Sequence, residues 1–348
     1  MVIVYILLLI LILSRVSINH RGKYNSEYLS YDTTNAVKGI FILLVFISHI
    51  ALYITKGEYE YSGLGDYTFW FLNGFIGQWV VAMFLFYSGY GIMEAIYKKG
   101  ITYLNTFPRK RILNVLINFD VAVLLFILIN TSLGKYFSYS EYILSLTGWT
   151  SVGNSNWYIF VILICYLLTF ITFRYTTTIP SLFRKWSIFT ILSLGCIVTL
   201  YFLKPCYWYD TMLCFSFGML YSLYKDKIFS FVSAHYAFVI SILSLCAVLM
   251  LKYGYILGGF SYNIFSILFC FWIITITIKV DISKNPFLKW CGNNLFPLYI
   301  YQRIPMIILS TISGGILVDS YPIIYISLCF VITLLITYFY KYWTINLK

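Results

Sequence analysis

From Met1 to Tyr340 the chain passes through one long apolar stretch after another, and its charged residues gather in the short intervals between them. A backbone in hydrocarbon must satisfy every N–H and C=O internally, so only helices or closed barrels can carry such stretches across lipid. Continuous runs such as Trp157 to Phe173 and Ile323 to Tyr340 have the pattern of helices; barrel strands are alternating segments of about ten residues. Composition agrees. Only 10% of the 348 residues are charged, against about 25% in an ordinary soluble domain. The 61% that are hydrophobic exceed what one soluble core can absorb, because such cores stop growing near about 250–300 residues. The fold class expected is all-α, a polytopic membrane helical bundle.

Met1 to Leu13 is followed, not preceded, by positive charge (Arg15, Arg21, Lys23), and no small-residue cleavage site closes it. It reads as an uncleaved first span instead of a signal peptide. Further spans are expected near 38–55, 69–91, 112–131, 156–173, 186–203, 209–224, 235–251, 263–278, 295–311 and 321–340, about eleven in all. With the N-terminus outside, nineteen of the 24 basic residues fall in inner loops. Four (Lys56, Lys135, Lys204, Lys252) fall in outer loops, and Arg303 falls within a span. That asymmetry predicts a multi-pass protein of the cell membrane with its N-terminus outside and its C-terminus in the cytoplasm. Residues 1–30 then form a leading helix and cytoplasmic linker, and 31–348 a ten-helix domain. The net charge of +12 belongs to these loops, without the aromatic-interleaved basic stripe that nucleic-acid binding needs. The eight cysteines contain no C-x-x-C pair, so neither a metal site nor a disulfide framework is expected. Cys206, in an outer loop, is the one to test for reactivity.

Ionisable residues inside spans are costly and are functional candidates. His49 lies deep in its span, and Lys38 precedes it by eleven residues. On an ideal helix eleven residues turn through about 1100° and rise roughly 16 Å, so the two share a face within about 20°. A cation at the cytoplasmic edge below an imidazole suits an anionic cofactor that reaches inward. The same pair also reads as a packing histidine and a snorkelling lysine. Arg109, Lys110 and Arg111 close an inner loop and could hold phosphates or simply set topology. Arg303 calls for a cavity or an acidic partner, with Asp120 as a candidate. Asn154, Asn156 and Trp157 offer amides and an aromatic platform to a sugar, although interfacial anchoring explains Trp157 equally well. With no G-x-S-x-G elbow and only three histidines (20, 49 and 235), the sequence argues against a Ser-His-Asp hydrolase.

These segments, taken in order, resemble the acyltransferase-3 family of integral membrane O-acyltransferases. Lys38-Gly39-Ile40 through His49 resembles its arginine–x10–histidine signature, with lysine in place of arginine. Phe84-Leu-Phe-Tyr-Ser-Gly-Tyr90 resembles its F-[FL]-x-x-S-G-[FY] segment. Phe107-Pro-Arg-Lys-Arg111 resembles a basic segment with two arginines three apart, with Asn114 in the second place. Gly153-Asn-Ser-Asn-Trp-Tyr158 resembles a W-[FY] helix opening. Gly292 to Gln302 resembles a late G-x-x-S-x-x-[IL]-Y-x-x-H pattern, with Leu295 and Gln302 replacing the serine and histidine.

The resemblance implies a ten-helix acyltransferase core behind one leading helix. It further implies transfer of an acetyl group from acetyl-CoA to a hydroxyl of a surface or capsular polysaccharide, or of its lipid-linked precursor. The partners implied are a glycan acceptor, membrane lipid and polysaccharide assembly machinery. Arg109, Lys110 and Arg111 would then meet the cofactor phosphates, with Lys38 near the mouth. His49 would act as general base or carry the acetyl group itself. Asn156, Trp157, Gln302 and Arg303 would serve the acceptor or the developing oxyanion. The alternative from another class is a transporter or flippase for a lipid-linked glycan. The paired, broken-helix halves common in transporters are absent from the sequence.

Overall fold

A computed structural model describes residues 1–20, 22–76, 78–175, 181–257 and 259–347, with the side chains of 75–76, 251–257 and 259–260 outside that description. Arg21, Lys348 and the side chain of Lys252, three of the charges counted for topology, lie outside it. The chain is helical almost throughout. In order come α1 (Ile3–Leu13), α2 (Tyr31–Lys56), α3 (Gly63–Ile76), α4 (Trp79–Phe107), α5 (Asn114–Ser132), α6 (Tyr139–Leu146), α7 (Trp157–Tyr175) and α8 (Leu182–Leu203). Then follow α9 (Leu213–Ala234), α10 (Tyr236–Leu257), α11 (Gly259–Lys279), α12 (Pro286–Asn293), α13 (Leu295–Tyr301), α14 (Arg303–Ile312), α15 (Ile316–Asp319) and α16 (Pro322–Phe339). The only strands among the described residues, β1 (Ser17–Ile18) and β2 (Val280–Asp281), form a short antiparallel ribbon.

The expected all-α membrane bundle is therefore present. Among the described residues seven helical stretches are long and apolar enough to cross a membrane, or eight if the pair formed by α9 and α10, bent by 100°, counts as one span. The sequence reading of about eleven divides the same chain differently. Gly63–Ser132 counts as one stretch where two spans are expected, and the bent pair joins two more. Helix α1 has eleven residues, so it rises roughly 16 Å, about half of a ~30 Å hydrocarbon core. Near residue 252, where an outer loop is expected, α10 runs on to Leu257.

Local breaks have local causes. Gly100 adopts φ +52°, ψ −132° and interrupts α4 before its last turns, a conformation open to glycine because it has no Cβ. Pro108 opens a wide π turn over Pro108–Leu113, closed by the Asn114 N–H bonding back to the Arg109 carbonyl. This turn presents the basic triplet. Between α13 and α14 the helix is interrupted at Gln302, because Pro305 has no N–H to donate to the Tyr301 carbonyl and its ring crowds that group.

Helices embedded in lipid gain little from the hydrophobic effect between one another and rely on close backbone approach and buried polar contacts. Two reciprocal glycine crossings provide the first. A Cβ at Gly89 would strike the Phe215 carbonyl, and one at Gly218 the Phe86 carbonyl, so α4 and α9 meet backbone to backbone. Gly39 faces the Leu288 carbonyl and Gly292 that of Asn35, which seats α12 against α2. The Asn35 amide adds a 2.6 Å bond to Asn293 Oδ1 across this second crossing. The motif glycines at 89 and 292 thus have a packing role in this fold.

Candidate active site

Helix α2 is continuous from Tyr31 to Lys56 and carries both Lys38 and His49. Around His49 the bundle gathers side chains from four other segments. The His49 imidazole is half-buried, with Nδ1 enclosed and without a hydrogen-bond partner. Its ring lies 6.2 Å from that of Tyr299 on α13, which in turn packs edge-on to Tyr158 of α7 at 5.2 Å. Arg303, at the start of α14, is within electrostatic reach of His49. Its Nη1 donates to the Asn154 carbonyl at 3.2 Å, and its guanidinium lies 5.9 Å from the Tyr53 ring.

The partner of Arg303 is a loop. Asn154, Ser155 and Asn156 are all buried, although they lie outside any helix. Such backbone is tolerated at membrane depth only where protein encloses it. Here Asn130 Nδ2 holds the Val152 carbonyl at 2.9 Å, Asn154 Oδ1 accepts the Val152 N–H at 3.1 Å, and Asn156 Nδ2 holds the Gly148 carbonyl at 2.8 Å. Asn154 Nδ2 remains enclosed without a partner, and the Ser155 hydroxyl stands beside that of Tyr299.

A cavity of about 410 Å³ connects this region with the basic turn. Arg111, Asn114, Tyr158 and Tyr299 line it, together with Ser88 and Asn293. Lys38, half-buried on α2, is within electrostatic reach of Arg111. The segment after α16 forms part of the wall through Tyr340, Thr344 and Asn346. It is held to α5 by two asparagines. Asn118 Oδ1 accepts from the Tyr340 hydroxyl at 3.0 Å and the Ile345 N–H at 3.0 Å, and Asn114 Oδ1 accepts from the Leu347 N–H at 3.2 Å.

The structure thus brings Lys38, Arg111, His49 and Arg303 into one continuous neighbourhood and leaves other candidates apart. Arg109 and Lys110 are exposed and do not line the cavity. The Asn156 amide is engaged with the loop. Gln302 is buried and donates to the carbonyl of Tyr299 at 3.0 Å, within its own turn. Trp157 is half-buried, 5.9 Å from the Tyr207 ring, away from the cavity lining. No ion pair joins Asp120 to Arg303 among the described residues, and Asp120 Oδ1 is enclosed without a partner. No group of three or more His, Cys, Asp or Glu able to hold a metal is found among them either. Cys206 is exposed and unpaired. Sequence reasoning missed Tyr299, Tyr158, Ser155 and Asn118. The signal that could have found the tyrosine is its place in the Gly292–Gln302 segment.

Comparison with protein-family models finds one described as an acyltransferase domain, of the acyltransferase-3 type, matching residues 32–341. No curated protein and no solved structure matches the chain.

Proposed function

The chain belongs to the acyltransferase-3 family and is a membrane acyltransferase, and we propose that it transfers an acetyl group from acetyl-CoA to a hydroxyl of a cell-surface or capsular polysaccharide or its lipid-linked precursor. One observation carries this reading. A single cavity is lined by both Arg111 and Tyr299, Lys38 is within electrostatic reach of Arg111, and Tyr299 flanks His49. Its volume falls in the ~300–1,000 Å³ range of ligand pockets.

In this reading the donor comes from the cytoplasm with its phosphates near Lys38 and Arg111, and its acyl arm extends along the cavity toward Tyr299. The acceptor approaches from the side of Arg303 and the buried 151–156 loop. The acceptor oxygen forms a bond to the acetyl carbon, the carbon–sulfur bond breaks, and His49 takes the acceptor proton and returns it to the departing thiolate. A positioned base of this kind contributes about 10²–10⁴-fold. Transfer through an acetylated His49 uses the same groups in two steps.

Deleting the gene in its host should remove O-acetyl signals from the proton NMR spectrum of surface glycans, and the wild-type gene should restore them. Unchanged acetylation with lipid-linked glycan accumulating inside the cell would instead identify a transporter.

Lys38 offers a sharper check on the donor side. A charged hydrogen bond contributes about 1.5–3 kcal/mol. Lys38→Ala should therefore raise the KM for acetyl-CoA roughly 10–100-fold, while Lys38→Arg, which keeps the cation, should stay within a few-fold of wild type. Indifference to both changes would leave Lys38 as a topology residue.

A further inference from the structure

We propose that the Tyr299 hydroxyl is a catalytic group of the acyl-transfer reaction, donating a hydrogen bond to the thioester carbonyl oxygen as it becomes an oxyanion. The inference rests on the acetyltransferase reading above and adds a residue to it.

Tyr299 occupies an unusual position. It is 2% exposed, yet it lines the cavity that reaches Arg111. Its ring is 6.2 Å from the His49 ring, so it borders both the donor's path and the base. By distance and angle its hydroxyl completes no hydrogen bond, although the Ser155 hydroxyl and the Tyr158 N–H stand beside it, and among the described residues that line the cavity it is the only enclosed side-chain polar atom in that condition. A buried hydroxyl left without a partner costs stability, so such groups call for an explanation. Other tyrosines nearby are accounted for differently. Tyr166 shares a 3.3 Å hydrogen bond with Ser88. Tyr301 does not line the cavity, and it packs with Tyr340 and Trp343.

The surroundings fix the ring and also approach its oxygen, where the Ser155 hydroxyl and the Tyr158 N–H stand. Tyr158 packs edge-on at 5.2 Å, and Gln302 holds the Tyr299 carbonyl at 3.0 Å just where Pro305 interrupts the helix. A donor held rigidly, its oxygen oriented by neighbours and its proton able to turn to a ligand, is the arrangement that stabilises developing negative charge most effectively. In the step itself Tyr299 stays protonated. The acceptor proton goes to His49, and the electron pair of the carbon–sulfur bond leaves with the thiolate.

The test uses inverted membrane vesicles from the deletion host, carrying the full-length protein, supplied with radiolabelled acetyl-CoA. Label in the glycan fraction is followed as a function of donor concentration. Tyr299→Phe keeps the ring contacts and removes only the oxygen. It should lower kcat by about 10²–10³-fold, the usual loss for one oxyanion donor, while the KM for acetyl-CoA stays within about threefold. Because ring packing is retained, the melting temperature of the purified variant should not fall. A purely structural role would instead lower that temperature and leave kcat per folded molecule near wild type. Tyr299→Phe matching wild type within threefold overturns the role of the hydroxyl alone. Absence of label transfer by the wild-type protein overturns the acetyltransferase reading and this role with it.

Discussion

Membranes carrying His49→Ala should contain the protein at its wild-type level and yet leave surface glycans without O-acetyl groups, with the transfer rate down by at least about 10²-fold. The two halves of this expectation have separate physical grounds. The loss of activity follows from the position of His49, deep in α2 beside Tyr299 and within reach of Arg303, where no other imidazole stands: His20 lies before α2 and His235 between α9 and α10. The unchanged level follows from what His49 does not do. Its enclosed Nδ1 makes no hydrogen bond, so truncation strands no partner. Alanine is also the best helix former, and α2 keeps its crossing with α12 through Gly39 and Gly292. Quantitative blotting of the membrane fraction, paired with proton NMR of the glycans, checks both halves. Normal acetylation in the variant would remove His49 from the mechanism under either route. A direct base and an acetyl carrier separate at the next step. After brief exposure to labelled acetyl-CoA without acceptor, only the carrier route leaves label on the wild-type protein, and hydroxylamine should release it.

The residues read most clearly from sequence are those whose chemistry conflicts with lipid. Lys38, His49 and Arg303 are ionisable groups in or at the edge of apolar runs, and the structure sets Lys38 within electrostatic reach of Arg111, which lines the cavity, and His49 within reach of Arg303. What could not be read is which polar atoms are already spent. Asn156 and Gln302 look as available as Asn154 in the sequence, but their amides hold the Gly148 and Tyr299 carbonyls. Arg109 and Lys110 match Arg111 in type, and only the π turn opened by Pro108 decides that Arg111 alone of the three lines the cavity. Arg303 calls for a cavity or an acidic partner, and it finds a backbone carbonyl, that of Asn154. Tyr299 was hidden for another reason. In a chain with 34 tyrosines, only its place in the Gly292–Gln302 segment separates this one from packing aromatics. Apolar length likewise does not reveal a 100° bend between α9 and α10 or the shortness of α1.

Replacing Gly89 with valine should prevent the bundle from assembling, whereas the same change two residues later, Gly91→Val, should be tolerated. Both glycines belong to α4 and lie two residues apart, so helix propensity and local composition are shared between the variants. Their surroundings differ completely. A Cβ at Gly89 would fall on the Phe215 carbonyl and crowd the Met219 N–H, while one at Gly91 would meet no atom within 4 Å. Overpacking against side chains costs about 1–3 kcal/mol because rotamers yield. Here the obstacle is the backbone of α9, itself held by its own hydrogen bonds, and Gly218 faces the Phe86 carbonyl at the same crossing. Relief requires the two helices to separate along the whole contact, so the expected loss exceeds about 4 kcal/mol, the range reserved for severe disruptions. Separation would also move Ser88, which lines the cavity and bonds Tyr166, away from the donor path. Size-exclusion profiles of detergent-solubilised, fluorescently tagged protein should show a monodisperse peak for wild type and Gly91→Val, and aggregate or no protein for Gly89→Val. A monodisperse, active Gly89→Val would mean that α4 and α9 do not approach this closely, and that the motif glycine serves chemistry instead of packing.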